Sequence, residues 1–395
     1  MEKSPPSLVK RLLQLLRDKD VHIRNLEALL AQRDGEIERL RTDLADPAQR
    51  DASRERTKDF WTPPPRSAGP GGDPYAEFDE ADLSWRQSWS RWWRKRLVDS
   101  HWMQIGILRQ YAPRPLRPES FPAARLAPGR LPHIAVVTPS FNQAPFVEAT
   151  LRSVLDQGFP RLVYGVYDGG STDGSAEIIG RHAGQLAFWT SAPDRGQSDA
   201  IGKAFAHLAP RLGPDDVMTW LNSDDLSLPG ALRYVAEYFA RHPEVDVVYG
   251  HRIVIDDDGQ EVGRWILPRH EPGALEWVDY VPQETLFWRK RAWDRAGGLD
   301  PAFQFALDWD LLARFTQAGL RVVRLPHFLG CFRVHQAQKT HQHIHSTGAE
   351  EMAQVRARFH GPEMSNDMRP VEVWAQRIRR RGVLTARLLR WGIRA

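Results

Sequence analysis

The residues best suited to chemistry are two adjacent carboxylates that follow an apolar run. The run at 217–221 leads directly into the sequence Asn-Ser-Asp-Asp, which ends in Asp224 and Asp225. Two adjacent carboxylates repel each other, and a divalent cation relieves that repulsion. Mg²⁺ and Mn²⁺ prefer oxygen ligands and offset the charge on a phosphate leaving group. Asp224 and Asp225 are therefore candidate metal ligands, since an aspartate that caps the next helix would explain only one of the two.

Polar turns also follow two earlier apolar runs. Residues 134–137 lead into a turn at 138–143, and residues 163–167 lead into Asp168 and two glycines. An aspartate at a strand end can accept hydrogen bonds from a base or a ribose, and glycine lets the backbone approach a phosphate or a sugar closely. Each segment alone is equally typical of an ordinary turn, because Asp, Gly and Ser are common turn residues.

The apolar runs that precede these turns indicate the fold. Short runs at 134–137, 163–167, 217–221 and 245–249 occur with helical patterns between the first three. This alternation predicts an α/β domain with a mostly parallel sheet. Ligands of such sheets bind beyond the carboxyl ends of the strands, which is where the polar turns fall. We expect residues 131–350 to form this domain.

The order of these motifs resembles glycosyltransferase family 2, the inverting enzymes of the GT-A fold, over about residues 131–345. The resemblance implies a Rossmann-like GT-A domain that transfers a sugar from a nucleotide-sugar donor to a hydroxyl acceptor. It implies Mn²⁺ or Mg²⁺ as a cofactor. By the same analogy, the acceptor is a glycan or lipid-linked molecule, and the pathway builds a bacterial surface polysaccharide such as O-antigen.

The resemblance also assigns donor-side roles. Asp168 matches the aspartate that binds the base, and Asp224 and Asp225 match the acidic metal-binding motif, although Asn222 stands where that motif often begins with Asp. His335 matches a histidine that can ligate the metal or touch the diphosphate, as imidazole can. The positions that match donor-binding residues are Pro139, Ser140, Asp168, Asp194, Arg195, Gln197 and Asp224.

On the acceptor side, the resemblance assigns Asp308 as the general base and Gln283 as an acceptor contact. The family often has Glu before that Asp, whereas this chain has Leu307. A carboxylate near the anomeric carbon can take the proton of the acceptor hydroxyl as that hydroxyl attacks. A turn followed by a strand is an equally good interpretation of the segment around Gln283.

The first 46 residues have a different pattern. Apolar residues recur every seven positions from Val9 to Leu44, which is typical of a coiled-coil seam and predicts self-association. The alternative is one amphipathic helix that packs on its own domain, because Lys19, Arg33 and Gly35 interrupt the pattern. Proline and glycine between residues 46 and 80 predict a linker.

Two segments combine tryptophan or aliphatic residues with arginine. Within 47–130, residues 85–96 place four tryptophans on one helical face among basic residues, and the basic amphipathic tail at 351–395 has no acid after Glu372. Both patterns suit an anionic membrane surface. The alternatives are a helix that packs its indoles on the catalytic domain and a solvated helix end.

Bulk composition narrows the location and the class of protein. The single cysteine excludes an intrachain disulfide framework, and neither a secretory signal nor an apolar stretch of about 18 residues is present. We therefore expect a cytoplasmic protein, with any membrane contact peripheral and at the inner face. A net charge of +4 does not indicate nucleic-acid binding. The competing functions are a nucleotidyltransferase and a non-catalytic scaffold with a relic nucleotide-sugar site.

Overall fold

The computed structural model describes residues 107–118, 120–335 and 347–390. The predicted coiled coil at 1–46 and the Trp/Arg-rich segment at 85–96 lie outside the described residues, so both stay predictions.

Within the described residues, the strands form one mixed ten-stranded sheet with helices packed on both of its faces. The predicted α/β architecture is confirmed. The strands are β1 (Ile107–Arg114), β2 (Ile134–Ser140), β3 (Leu162–Asp168), β4 (Phe188–Ser191), β5 (Val217–Trp220), β6 (Leu226–Ser227), β7 (Val247–Ile255), β8 (Glu261–Ile266), β9 (Phe287–Arg289) and β10 (Val322–Arg333). The helices are α1 (Ala144–Leu155), α2 (Ser175–Arg181), α3 (Gln197–Leu208), α4 (Ala231–Arg241), α5 (Pro272–Leu275), α6 (Lys290–Ala296), α7 (Leu307–Gln317), α8 (Thr347–His360) and α9 (Met368–Arg390).

One half of the sheet is parallel and has the order β5-β2-β3-β4. Every residue of β2 is buried, because helices cover both faces of the sheet. Val147, Leu151 and Val154 of α1 belong to the apolar cluster on one face, while Ile201 and Phe205 of α3 belong to the cluster on the other. Within the sheet, β3 lies on one side of β2 and β5 lies on the other. The order of the strands therefore reverses at β2, which opens a crevice beyond the carboxyl ends of β2 and β5.

The other half of the sheet is largely antiparallel, with β9, β7, β8 and β1 continuing from β5. The last strand, β10, pairs in parallel with β7 and antiparallel with β6. It carries Cys331, the only cysteine of the chain, which is fully buried. Because β10 ends at Arg333, it delivers His335 to the region of the β5 turn.

Helix α9, in the C-terminal tail, packs on the α/β domain. Val371, Ile378 and Ala386 are buried on one side of this helix, and Arg377 and Arg381 form ion pairs with Glu271. The basic amphipathic pattern therefore corresponds to a helix whose apolar side covers the domain. Within the described ranges, every helix is too short or too polar to cross a bilayer.

Candidate active site

The polar turns predicted from the sequence open into one cavity of about 820 Å³. Its walls come from the ends of β2 and β5, the start of α3, residues 279–284 and the start of α7. Ligand cavities of roughly 300–1,000 Å³ are typical of sites for small molecules and cofactors. The site residues predicted from widely separated motifs thus meet at one place, with the exceptions described below.

Asp224 and His335 form the closest pair of predicted metal ligands. Oδ2 of Asp224 lies 2.9 Å from Nε2 of His335, and both side chains are largely buried. The ring of Phe146 packs 4.8 Å from the imidazole, centroid to centroid, and fixes its position. In the part of the chain that the structure describes, no group of three or more His, Cys, Asp or Glu side chains is arranged to hold a metal.

Asp225 lies behind this pair and is almost fully buried. Its Oδ1 accepts a hydrogen bond of 3.0 Å from the backbone N–H of Arg333, and the amide of Asn222 lies 3.4 Å from its Oδ2. Burial raises the pKa of Asp225, and the negative charges of Asp224 and Glu284 raise it further. Asp225 thus ties the β5 turn to the end of β10, while Asp224 meets His335.

The predicted donor loop at 194–200 contacts the acidic turn. The side-chain amide of Gln197 donates to Oδ1 of Asn222 at 2.7 Å. Asp194 lines the cavity, and its Oδ1 accepts the N–H of Gly196 at 2.7 Å. Gly196 has a φ of +114°, and a Cβ there would collide with the side chain of Gln304 on the opposite wall. The positive φ therefore favours glycine at this position.

Other predicted donor residues lie at the rim or in the wall of the cavity. Pro139 and Ser140 line it, and Oγ of Ser140 is buried without a hydrogen-bond partner among the described residues. Arg195 is not a lining residue, since its side chain is 79% exposed and pairs with Asp199 at 2.9 Å. Phe141 stands exposed at the mouth of the cavity.

Asp168 is placed differently from the other predicted donor residues. It is fully buried, and its carboxylate accepts hydrogen bonds from the backbone of Gly170 and from the hydroxyls of Ser171 and Ser191. The next residue, Gly169, lines the cavity. The structure therefore does not bring the Asp168 carboxylate to the cavity surface. Instead, this carboxylate stabilises the turn that contains Gly169, and that turn reaches the cavity.

The predicted base, Asp308, lies in the first turn of α7 and lines the cavity. Its Oδ1 accepts the N–H of Trp309 at 2.9 Å. Burial raises the pKa of Asp308 to about 6, and nearby Glu284 also raises it, whereas Arg252 opposes the shift. A carboxylate with this pKa is ionised at neutral pH and is a better proton acceptor than an exposed aspartate.

Sequence analysis missed two charged residues of the cavity, Arg252 and Asp279, whereas Glu284 belongs to the predicted segment around Gln283. Arg252 forms two hydrogen bonds with Glu284, at 2.7 and 2.5 Å, and lies between the rings of Trp265 and Phe332. Asp279 also lines the cavity, and burial and the charge of Asp308 raise its pKa. Neither Arg252 nor Asp279 follows a strand in a polar turn, so the sequence offered no signal for these two residues.

Gln283 and Glu351 support the same wall. The amide of Gln283 donates to the backbone oxygen of Trp220 at 2.7 Å, which fixes the side chain beside the end of β5. The buried carboxylate of Glu351, on α8, accepts three backbone N–H groups at 2.8 Å each, from residues 304, 305 and 306. These residues lead directly into α7, so Glu351 positions the start of the helix that carries Asp308. Glu351 was also missed by sequence reasoning.

Comparison with known families agrees with this geometry. The family described as Glycosyl transferase family 2 matches residues 135–299. The chain contains a family 2 glycosyltransferase domain. The matched residues include the turns after β2, β3 and β5 and the segment around Gln283, whereas Asp308 and His335 follow them.

Individual relatives of this glycosyltransferase are distant. An uncharacterized glycosyltransferase of Mycobacterium tuberculosis is 28% identical over 188 residues, which cover 46% of this chain and 68% of that protein. The O-antigen biosynthesis protein RfbC of Myxococcus xanthus is 28% identical over 200 residues, which cover 49% of this chain and 15% of that protein. The mannosyltransferase PcManGT of Pyrobaculum calidifontis, solved with GDP-Man and Mn²⁺, has a TM-score of 0.47 at 18% identity and covers 76% of this chain and 80% of that one.

Proposed function

We propose that this glycosyltransferase is an inverting enzyme that moves a sugar from a nucleotide-sugar donor to a hydroxyl of a glycan or lipid-linked acceptor. The observation that carries the proposal is that Asp224, which contacts His335, and Asp308 line the same cavity. A role in building a cell-surface polysaccharide is supported by the similarity to the O-antigen biosynthesis protein RfbC.

For the donor, we propose that its diphosphate lies near the turns that carry Ser140 and Asp224, with Gln197 at the base of the site. Oγ of Ser140 is free to donate to a phosphate oxygen, since it has no partner among the described residues. Asp168 contributes by holding its turn in place, and Arg195 would contact the donor only by reaching in from the rim.

Asp224 and His335 would hold a divalent cation, Mn²⁺ or Mg²⁺. The pair offers one carboxylate oxygen and one imidazole nitrogen at a separation of 2.9 Å, a donor set that Mn²⁺ in particular accepts. Such ions commonly complete their shell with water and substrate phosphates. A bound cation would offset the charge on the diphosphate leaving group. Asp225 would support this site from behind by fixing the turn.

Asp308 is the proposed general base. Its carboxylate would take the proton of the acceptor hydroxyl as the hydroxyl oxygen attacks the anomeric carbon and the nucleoside diphosphate departs. One in-line displacement inverts the configuration at that carbon. The pKa of about 6 keeps Asp308 ionised at neutral pH, so that it is ready to accept the proton.

The test is a thermal-shift panel of UDP, GDP, CMP and dTDP with and without Mn²⁺ or Mg²⁺, followed by transfer assays with the matching nucleotide sugars. A true ligand stabilises the fold by mass action, so one nucleotide should raise the melting temperature more than the others. Transfer of a nucleotidyl group instead of a sugar would favour a nucleotidyltransferase. Nucleotide binding without turnover of any donor would favour a scaffold.

We also propose two contacts outside the cavity. The seam at 1–46 would join copies of the chain into a homo-oligomer. The outward side of α9 exposes Val373 and Leu384, at 65% and 55%, beside the exposed Arg380, a combination that suits an anionic lipid surface. These contacts would place the enzyme at the inner face of the cytoplasmic membrane.

A further inference from the structure

The acceptor subsite, defined here as Arg252, Asp279, Gln283, Glu284 and Asp308, contains oxygen atoms that have no hydrogen-bond partner. Oε1 of Gln283 and Oδ1 of Asp279 are buried and lack a partner among the described residues. Gln283 is only 8% exposed, and its Nε2 is already bound to the backbone of Trp220. A buried acceptor atom without a donor is costly, so these oxygens favour a ligand that supplies hydrogen-bond donors.

The charge of the subsite also disfavours an anionic ligand. Arg252 is the only lysine or arginine that lines the cavity within the described ranges. Its guanidinium is already paired through two hydrogen bonds with Glu284. Asp308 forms no ion pair with a described residue, and its pKa of about 6 leaves it ionised at neutral pH. Arg252 and Glu284 cancel, so the subsite is negative overall.

We infer that the acceptor subsite binds a neutral sugar residue, which is uncharged and rich in hydroxyl groups. It rejects a sugar that carries a carboxylate or phosphate beside the reacting hydroxyl. This inference rests on the proposed function. Hydroxyls of a neutral sugar can donate to Gln283 and Asp279. A carboxylate or phosphate offers only acceptor oxygens to Oε1 of Gln283 and also meets the charge of Asp308. The rings of Trp265 and Phe332 supply apolar wall against which the carbon faces of a sugar can pack.

The first measurement uses the wild-type protein. Octyl glucoside, galactoside and mannoside are compared with the octyl glycosides of the corresponding uronic acids, with one nucleotide-sugar donor throughout. We expect kcat/KM to be at least roughly 10-fold higher for the best neutral acceptor than for its uronate. A uronate used as well as or better than its neutral partner would overturn the inference, and so would donor turnover with no transfer to any neutral glycoside.

A variant separates the charge of the subsite from its shape. Glu284→Gln leaves Arg252 without its carboxylate and makes the subsite less negative, so the preference for neutral over uronate acceptors should fall roughly 10-fold. Asp258→Asn is the matched control, because Asp258 is exposed on the turn between β7 and β8 and should leave the preference unchanged. An unchanged preference in a folded Glu284→Gln protein would contradict the inference.

Asp279→Ala provides a second variant if Glu284→Gln does not fold. It should lower kcat/KM for the neutral acceptor roughly 10-fold, because the sugar loses a hydrogen-bond partner. Equal kcat/KM in this variant and the wild type would oppose the inference. The wild type separates the two levels: no transfer from any nucleotide sugar to any glycoside contradicts the transferase function itself, whereas transfer with a preference for uronates contradicts only the acceptor class.

Discussion

The donor half of the cavity comes from turns that follow strands of the parallel sheet, whereas the acceptor half comes from a strand, a connecting segment and the first turn of a helix. On the donor side, Ser140 ends β2 and Asp224 follows β5 directly. On the acceptor side, Arg252 lies within β7, Asp279 follows α5, and Asp308 lies in α7.

The two halves also differ in how their polar groups are satisfied. The buried donor-side carboxylates of Asp168 and Asp225 accept hydrogen bonds from nearby backbone or hydroxyl groups. On the acceptor side, Oδ1 of Asp279 is buried without a hydrogen-bond partner among the described residues. The comparison indicates that hydrogen bonds within the protein already hold the carboxylates of the donor half in place. The acceptor half contains the groups that react with the substrate or select it.

The largest expected effect is on the donor side. Asp224→Ala removes a carboxylate from the proposed cation pair, and we expect kcat/KM to fall by roughly 1,000-fold because stabilisation of the leaving group by a metal is worth several kcal/mol. Calorimetric titration should also show loss of the Mn²⁺-dependent part of nucleoside diphosphate binding. Asp257→Ala, at an exposed carboxylate, serves as the control. Metal-dependent binding that survives in Asp224→Ala would remove Asp224 from the cation site.

The next effect is on the acceptor side. Asp308→Asn keeps the shape of the side chain but abolishes its basicity, so kcat should fall by roughly 100-fold or more. Donor affinity, measured by calorimetry, should stay at the wild-type value because the change leaves the donor half intact. Loss of donor binding in Asp308→Asn would instead make this residue part of the donor site and would break the division between the halves.

The pH dependence of kcat tests the assignment of Asp308 as the general base in a second way. Because the ionised form is the active base and its pKa is about 6, wild-type kcat should fall as the pH drops through 6 and be roughly tenfold lower at pH 5. Asp279 contributes to the same titration, so the observed midpoint belongs to the pair. The residual activity of Asp308→Asn should lack this acidic limb.

The smallest expected effect tests how the acceptor half is held together. Glu351→Gln leaves one carbonyl oxygen for three backbone N–H groups, so the start of α7 should loosen and kcat should fall roughly 5-fold, with donor affinity unchanged. A shifted acidic limb would show that Asp308 itself has moved. Glu350→Gln, at the exposed neighbouring residue, should retain wild-type kinetics. Equal loss in both variants would mean that Glu351 is not a positioning residue.

The difference between the halves also explains how far the sequence could predict the molecule. The apolar runs predicted β2, β3, β5 and β7, and each donor turn was visible because it follows its strand directly. Even there, the local pattern could not show that the Asp168 carboxylate turns inward, since its partner Ser191 lies on another strand. In the acceptor half, the nearness of Asp279 to Asp308 and the reach of Glu351 to the start of α7 depend on tertiary packing, which short-range patterns do not contain.

The burial of Cys331 has a practical consequence. This thiol lies in β10 between β6 and β7, next to the strand end that leads to His335, and burial raises its pKa well above the usual value. A thiol that is both inaccessible and protonated reacts slowly with alkylating dyes until the surrounding sheet opens. Because the chain has no other cysteine, the labelling rate would report opening of the sheet beside the active site. A fluorophore could then be attached to a cysteine introduced at the cavity mouth while the native thiol stays in place.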